Sequence, residues 1–346
     1  MSLLRALKRA VRSARHAPRL AAGFVPDDDV LLDAPDERLA PALVAAALAD
    51  PEPAAKLLAT TRDAGEWEDR DRYVTRLATF AYSRDDWLTH WLSAAPRDPD
   101  ALLVTAQLAV RRAWESPARA ERLRELTPLI QAMAEEAPHD PVPWRLALDH
   151  ARGAHAGPAV FESLWEQAVR RSPHHYGCHV AALKYLSAQW YGSHRASFDF
   201  AEQAADDAAP DSLVRALPVR AAYDLLRVVP DRDPSVPEAR TDRAADRALA
   251  LSALFPAGDP WPAEVRNLLA YVLVARGRWG EAQAEFVRIG VHATSFPWGA
   301  GRGAVREDPL RRFLAARDTV RTELARRTPL WDTGGGRAGR GGPGGH

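Results

Sequence analysis

The His and Cys side chains best spaced for chemistry lie near the middle of the chain. His175 and His179 are four residues apart, with Cys178 between them and His194 further on. Residues four apart share one face of a helix, so both imidazoles, with Cys178 or His194 as third ligand, have metal-site spacing. The zinc-protease motif needs Glu after its first His, and Tyr176 stands there. We expect a helix start around a buried thiol, and a metal-dependent enzyme at His175 and His179 is an alternative.

The second candidate site is the stretch WYGSH at 190–194. A hydrolase nucleophile stands in a Gly-x-Ser-x-Gly turn after a strand, whereas Ser193 follows a helical pattern. The same residues suit a corner, with Gly192 in the left-handed conformation ending one helix and Ser193 capping the next. We predict that a helix ends at Trp190, whose ring folds against the second helix near Phe198 or Ala201. The sequence therefore predicts no catalytic site, no bound metal and no cofactor, and we expect the protein not to be an enzyme.

Composition excludes several classes of protein. The chain of 346 residues has 46 basic and 46 acidic side chains, so no net charge favours a nucleic-acid partner. Its one cysteine rules out an internal disulfide and fits a reducing cytoplasm. No apolar run approaches the roughly 20 residues that span a bilayer, and no secretory signal is evident. We predict a cytoplasmic protein that binds no nucleic acid.

The two charge signs are unevenly distributed along the chain. Residues 1–26 contain six basic side chains and no acid, and residues 302–346 contain ten Arg against five acids. Subtracting both ends from the totals leaves 30 basic and 41 acidic residues between them. The acidic body predicts a partner with a basic segment.

Apolar residues recur at helical spacing along most of the chain, and strand patterns are nearly absent. Leu102, Leu103, Ala106 and Val110, for example, recur at three- and four-residue steps on one stripe of a helix. We therefore predict an all-α protein. The predicted helices lie near 99–115, 118–137, 141–154, 158–172, 175–190, 194–208, 211–228, 237–255, 261–276, 279–288 and 308–327, with further short helices before residue 94.

Prolines interrupt the helical pattern at similar intervals. Pro96, Pro138, Pro173 and Pro210 are separated by 42, 35 and 37 residues. Intervals of this size are typical of helix-hairpin repeats, because one hairpin buries its apolar stripe only against a neighbour. Each proline ends the second helix of a unit because its ring breaks the hydrogen-bond ladder. The chain is thus predicted to be a stack of helix hairpins.

The stretch NLLAYVLVARGRWGEAQAEF, residues 267–286, resembles a tetratricopeptide repeat. Its pattern residues are Leu269, Ala270, Gly277, Trp279, Ala282 and Phe286. Gly277 allows the tight turn between the helices, and Ala282 lets them approach closely. Arg266 departs from the pattern, since the repeat usually has a large apolar residue there. The resemblance implies a right-handed α-solenoid.

The block from 84 to 226 is similar to a group of uncharacterised bacterial proteins built on tetratricopeptide-like helices. The shared feature is a Trp-x-Gly-Ser corner, present here as Trp190, Gly192 and Ser193. That group has no established activity, so this resemblance implies a fold and no mechanism.

The N-terminal segment has the layout of an interfacial helix. Leu3, Leu7 and Val11 line one face, and basic side chains surround it. The basic residues that we single out for partner binding are Arg5, Arg9 and Arg12. Three alternatives stay open for this segment: attachment to a membrane surface, docking on the acidic body of this chain or a neighbour, and a solvated leader.

Most of the eleven Trp residues fall within helical stripes and are expected in the core. Trp261 and Trp298 lie beside Pro or Gly in apparent loops, and we single them out as contacts for a partner.

The domain organisation follows from these patterns. We expect a basic amphipathic segment at 1–26, a helical region at 27–94, tetratricopeptide-like repeats at 95–330, and a disordered Gly/Arg tail at 331–346. The predicted function is a non-catalytic scaffold that binds a protein or peptide on the concave face of the solenoid. A peripheral membrane adaptor and the metal-dependent enzyme are the alternatives, and the sequence leaves the oligomeric state open.

Overall fold

α-Helices make up nearly all of the regular structure. The computed structural model describes residues 23–228, 235–299 and 308–327. These ranges contain seventeen α-helices, two short strands and two short 3-10 helices, which confirms the predicted all-α class. The helices are α1 (Leu39–Ala47), α2 (Glu52–Ala64), α3 (Trp67–Ala81), α4 (Asp86–Ala94), α5 (Pro99–Glu115), α6 (Arg119–Glu125), α7 (Thr127–Glu136), α8 (Val142–Gly153), α9 (Pro158–Arg171), α10 (Tyr176–Tyr185), α11 (His194–Asp207), α12 (Leu217–Val228), α13 (Glu238–Ser252), α14 (Ala263–Ala275), α15 (Trp279–Ile289), α16 (Ser295–Trp298) and α17 (Pro309–Arg327). The strands are β1 (Leu31–Leu32) and β2 (His292–Ala293), and the 3-10 helices are Asp27–Asp29 and Leu213–Ala216.

The four regularly spaced prolines all lie between helices, as predicted. Pro96, Pro138, Pro173 and Pro210 follow the ends of α4, α7, α9 and α11. A side chain shortly after a proline often caps the next helix. The Asp98 carboxylate accepts the backbone N–H groups of residues 100 and 101 at the start of α5, at 2.9 and 3.0 Å.

Three predicted helices differ from the structure. The predicted helix at 118–137 is two helices, α6 and α7, because Pro128 in the first turn of α7 cannot continue the ladder of α6. The helix predicted over 211–228 begins as the 3-10 helix Leu213–Ala216. The helix predicted to end at Trp190 ends at Tyr185.

Helices that alternate along the chain, except that both α6 and α7 lie between α5 and α8, form one continuous series of contacts. α3 contacts α5, α5 contacts α8, α8 contacts α10, α10 contacts α12, and α12 contacts α14. The helices between them, such as α9, α11 and α13, pack against both the preceding and the following member of that series. Fully buried alanines such as Ala101, Ala106 and Ala182 permit close approach of the helix axes.

The first described residues pack against the last helices. β1 and β2 form a parallel two-stranded pair. Beside it, the Asp33 carboxylate accepts the backbone N–H of Ser295 at 2.9 Å. A guanidinium N–H of Arg317, in α17, donates to the carbonyl of Val25 at 2.6 Å. Residues 23–33 therefore join parts of the chain that are more than 250 residues apart.

A buried arginine joins four helices in the first half of the chain. Arg70, in α3, has no solvent-exposed surface. Its Nη2 and Nε lie 2.6 Å from carboxylate oxygens of Asp100 and Asp140 respectively, and its Nη1 donates to the carbonyl of Leu58 at 2.9 Å. Arg62 reaches the second oxygen of Asp100 at 2.6 Å. The group links α2, α3 and α5 to the residues that begin α8.

We predict that Arg70→Met lowers the free energy of unfolding by about 3–5 kcal/mol, because it leaves two buried carboxylates short of a cation. Urea denaturation followed by circular dichroism measures this loss. The matched control is Arg112→Met, which breaks a half-exposed pair with Asp85 at 3.0 Å and should cost at most about 1 kcal/mol. Equal losses in the two variants would contradict the role assigned to Arg70.

Candidate functional site

A group of charged side chains comes together on the alternating helices. We call it the charged band, and it consists of Asp71, Arg145, Asp149, Arg152, Lys184, Arg220, Asp224 and Glu264. These residues belong to α3, α8, α10, α12 and α14, and each of these helices contacts the next in that order. The three arginines are buried, the aspartates and Lys184 are partly buried, and Glu264 is exposed. Buried charged groups are rare in proteins unless they are paired.

Two helices of the charged band contribute the same sequence pattern. α8 has Arg145, Asp149 and Arg152, and α12 has Arg220, Asp224 and a further Arg, each in the order Arg-x3-Asp-x2-Arg. Residues at steps of four and three lie on one face of a helix. The two patterns are 75 residues apart, which is about two of the intervals between the prolines.

On α8 the pattern is fully paired. Asp149 lies 3.5 Å from a guanidinium nitrogen of Arg145 and 2.9 Å from one of Arg152. Arg145 also reaches the carboxylate of Asp71 at 2.6 Å and the side-chain oxygen of Gln107 at 2.8 Å. The neighbouring cations, with Lys184 foremost, hold the pKa of Asp149 well below its usual range in spite of its burial. This carboxylate is therefore ionised and satisfied.

On α12 the same pattern is paired differently. Arg220 turns to Glu264 at 2.7 Å and to the hydroxyl of Tyr176 at 3.3 Å. Within the described ranges the Asp224 carboxylate has no hydrogen bond and no ion pair. Burial raises the pKa of Asp224, although the surrounding cations, Arg220 first, oppose this effect. Asp224 is thus a partly buried carboxylate without a direct partner among the described residues.

Among the cations of the charged band, Lys184 corresponds to Asp224, because it also lacks a direct partner in the described residues. Its ammonium interacts at longer range with Asp149, but in the described part of the chain it forms no ion pair and no side-chain hydrogen bond. Burial lowers the pKa of Lys184 to about 8. One cation and one carboxylate of the charged band, Lys184 and Asp224, are thus available to a bound molecule.

The His and Cys cluster forms a helix cap. His175 precedes α10, and its Nδ1 accepts the backbone N–H of Cys178 at 3.2 Å, while its Nε2 lies 3.3 Å from the carbonyl of Trp67. Nδ1 of His179 donates to the carbonyl of His175 at 3.0 Å. Burial raises the pKa of the Cys178 thiol, which favours its protonated, inert form.

The geometry of this cluster does not support the metal alternative. Among the residues that the structure describes, no group of three or more His, Cys, Asp or Glu side chains is arranged to hold a metal ion. Both ring nitrogens of His175 and Nδ1 of His179 already contact backbone groups.

The WYGSH corner differs in part from the prediction. Ser193 caps α11, since its hydroxyl accepts the backbone N–H of Ala196 at 3.1 Å. Gly192 does not have a positive φ; a side chain there would collide with the backbone of Leu186, so close approach explains the glycine. Trp190 packs not on Phe198 but edge-to-face against Trp114 of α5, with ring centroids 5.7 Å apart.

The aromatic residues singled out for a partner are engaged within the chain. Trp298 is only 3% exposed and its indole N–H donates to Asn267 at 2.9 Å, which leaves it no surface for a partner. Trp261 is half-buried, and the guanidinium of Arg72 lies 4.6 Å from its ring centre. Gly277 has φ +68° between α14 and α15, and Trp279 begins α15. Arg5, Arg9 and Arg12 lie outside the described residues.

Sequence reasoning missed the residues of the charged band. Helical stripes of apolar residues drew attention to the core, and single charges on a helix usually face solvent. Two signals point to the band in retrospect: the repeated Arg-x3-Asp-x2-Arg pattern, and Lys184, one of three lysines in the chain.

Comparison with models of known protein families, with curated proteins and with solved structures found no match. None of the helices in the described ranges combines the length and apolar character that a bilayer crossing requires.

We predict that the ammonium of Lys184 titrates near pH 8, because burial penalises its charge. Reductive ¹³C-methylation followed by NMR measures this directly, since the chain has only three lysines, and Lys184→Arg identifies the resonance. A midpoint above about 10, the range of a solvated lysine, would show that the side chain is not desolvated.

A second prediction concerns acid stability. Burial lowers the pKa of His179 to about 4, so the unfolded chain, with a pKa of about 6.5, binds the proton first as the pH falls. The stabilisation from neutral His179 is present above about pH 6.5 and is lost towards about pH 4. Between about pH 7 and pH 4, wild type should lose about 3 kcal/mol more than His179→Gln in urea denaturation. Parallel losses in both proteins would contradict this.

Proposed function

We propose that the protein is a non-catalytic scaffold that binds a protein or peptide carrying a basic segment. In this proposal the helices form a right-handed, tetratricopeptide-like solenoid, and its concave face contains the charged band. The alternating series of contacts from α3 to α14 supports this arrangement, because stacked hairpins bring every second helix together.

The observation that carries the proposal is the unpaired carboxylate of Asp224. Burial disfavours the charged form of this partly buried carboxylate, and a cationic side chain that reaches it stabilises that form. Glu264 pairs with Arg220, which lies on the same face of α12 as Asp224. The side chain of Glu264 is 48% exposed. Two carboxylates are thus placed to receive a Lys or Arg of a bound chain.

Lys184 supplies the opposite sign. A bound peptide presents a backbone carbonyl at every residue and a carboxylate at its end, and either accepts a hydrogen bond from an ammonium. Lys184 and Asp224 can therefore fix a peptide at two points of opposite charge. Binding of this kind requires charge complementarity and burial, and no reaction.

The N-terminal segment of the same chain is one candidate for this basic ligand. Residues 1–26 contain six basic side chains and no acid, with Arg5, Arg9 and Arg12 among them. An intramolecular version of the proposal places this segment on the charged band. It predicts that removal of residues 1–22 tightens the binding of an added peptide.

A random peptide library displayed on phage and selected on the full chain tests the proposal. We predict enrichment of sequences that contain Lys or Arg, and fluorescence anisotropy of one enriched peptide then gives its affinity. Asp224→Asn should weaken binding by about tenfold or more, because a charged hydrogen bond contributes about 1.5–3 kcal/mol. Asp207→Asn, an exposed carboxylate at the end of α11, is the matched control.

Two results would contradict the proposal. One is a selection that enriches no basic sequences. The other is equal binding by Asp224→Asn, Asp207→Asn and wild type, which would place the peptide elsewhere on the protein.

A further inference from the structure

A second site lies where α5 ends and α6 begins, beside Arg152 of the charged band. A cavity of about 510 Å³ is lined there by Ser116, Arg119, Glu121, Arg124 and the turn residue His155. The size is in the range of pockets that bind small molecules. The lining contains two guanidinium groups, one imidazole and a single carboxylate, so its arginines outnumber its acids.

The two arginines of the cavity lack ionic partners. Arg119 and Arg124 form no ion pair with any carboxylate of the described residues, whereas Arg122, between them, lies 3.2 Å from Glu125. The Nε of Arg119 is buried and has no hydrogen-bond acceptor. Arg124 donates from Nε to the carbonyl of Ala120 at 3.0 Å, which leaves its two terminal nitrogens free. In the described residues, no acceptor therefore uses the terminal nitrogens of Arg119 or Arg124.

An aromatic pair holds Arg119 in place. Its guanidinium carbon lies 4.9 Å from the ring centre of Trp114 and 5.3 Å from that of Trp190. Arg152 lies against the same two rings, at 4.4 and 4.9 Å. A stacked guanidinium uses its face and keeps the N–H groups at its edge free for a planar or tetrahedral anion. Trp190 therefore helps to position the guanidinium of Arg119 as a hydrogen-bond donor, in addition to its place in the turn between α10 and α11.

His155 shows a second sign of a binding site. It follows the end of α8 with φ +61°, in the left-handed region where glycine is the usual residue. Its ring packs on Trp190 with centroids 5.6 Å apart, and its Nδ1 lies 3.4 Å from the hydroxyl of Tyr191. An L side chain is disfavoured at such a position, so its presence suggests a role for the imidazole.

We propose that this cavity binds the phosphate group of a small phosphate monoester. Arg119 and Arg124 supply the positive charge and the edge donors, and Nε2 of His155 supplies a further donor or acceptor at the rim. Glu121 accepts a hydrogen bond from a hydroxyl of the ligand. A phosphate dianion matches two guanidiniums in charge and offers the acceptors that their paired N–H groups require. The site adjoins the charged band at Arg152, which lies against the same two rings as Arg119, but its lining includes neither Lys184 nor Asp224.

Isothermal titration calorimetry on the full chain tests the proposal with three probes: inorganic phosphate, ribose 5-phosphate and a nucleoside 5′-monophosphate. We expect saturable binding of at least one probe, with a dissociation constant below about 1 mM. Binding of all three with equal strength identifies free phosphate as the ligand, and tighter binding of either ester identifies an esterified one. No saturable binding of any probe up to about 10 mM would overturn the proposal.

Single substitutions test whether the phosphate binds in this cavity. Arg124→Gln should weaken it by about tenfold or more without touching the aromatic pair, and Arg122→Gln should leave it unchanged. His155→Gly should raise the midpoint of urea unfolding, since it removes the unfavourable backbone, and should weaken binding at the same time. Equal affinities in Arg124→Gln and Arg122→Gln would overturn the assignment, as would His155→Gly with unchanged affinity.

Discussion

Buried charge is the constraint on which this fold depends. Helices rich in alanine pack closely but supply little apolar area, and long Arg side chains fill the space between them. Arg70 satisfies its guanidinium with Asp100, Asp140 and a carbonyl. Arg266, fully buried in α14, instead donates to the carbonyls of Phe255 and Pro256 at 2.8 and 2.9 Å. Each guanidinium satisfies its buried donors within the protein, because a buried charge without hydrogen bonds is costly.

The same constraint separates the side chains that hold the fold from those that face a ligand. Paired groups such as Asp149 are ionised and satisfied by their neighbours. Asp224, Lys184 and Arg119 occupy comparable positions, but in the described ranges they have no ionic partner. A partly desolvated charge without a direct ion pair is stabilised by a bound group of opposite sign. The two proposed sites, the charged band and the cavity at Arg119, both follow from this reasoning.

The periodicity of apolar residues predicts the helices, but it does not predict the charged band. Apolar steps and the prolines at 96, 138, 173 and 210 give the helix class and most helix ends, because both act locally. The pairing of Arg220 with Glu264 in place of Asp224 depends on the distance between two helices, which local patterns do not contain. The packing of Trp190 on Trp114 is not predictable from local patterns for the same reason. Arg266 stands where the tetratricopeptide pattern has an apolar residue, and its guanidinium donates to carbonyls of a preceding turn.

The distinction between paired and unpaired buried charges is tested most directly by two isosteric substitutions compared under one condition. Asp100→Asn removes a carboxylate that lies 2.6 Å from both Arg62 and Arg70, and Asp224→Asn removes one without a direct partner. In urea denaturation at neutral pH, we predict that Asp100→Asn lowers the free energy of unfolding by about 3–5 kcal/mol, while Asp224→Asn leaves it unchanged or raises it. A loss in Asp224→Asn as large as that in Asp100→Asn would contradict the account.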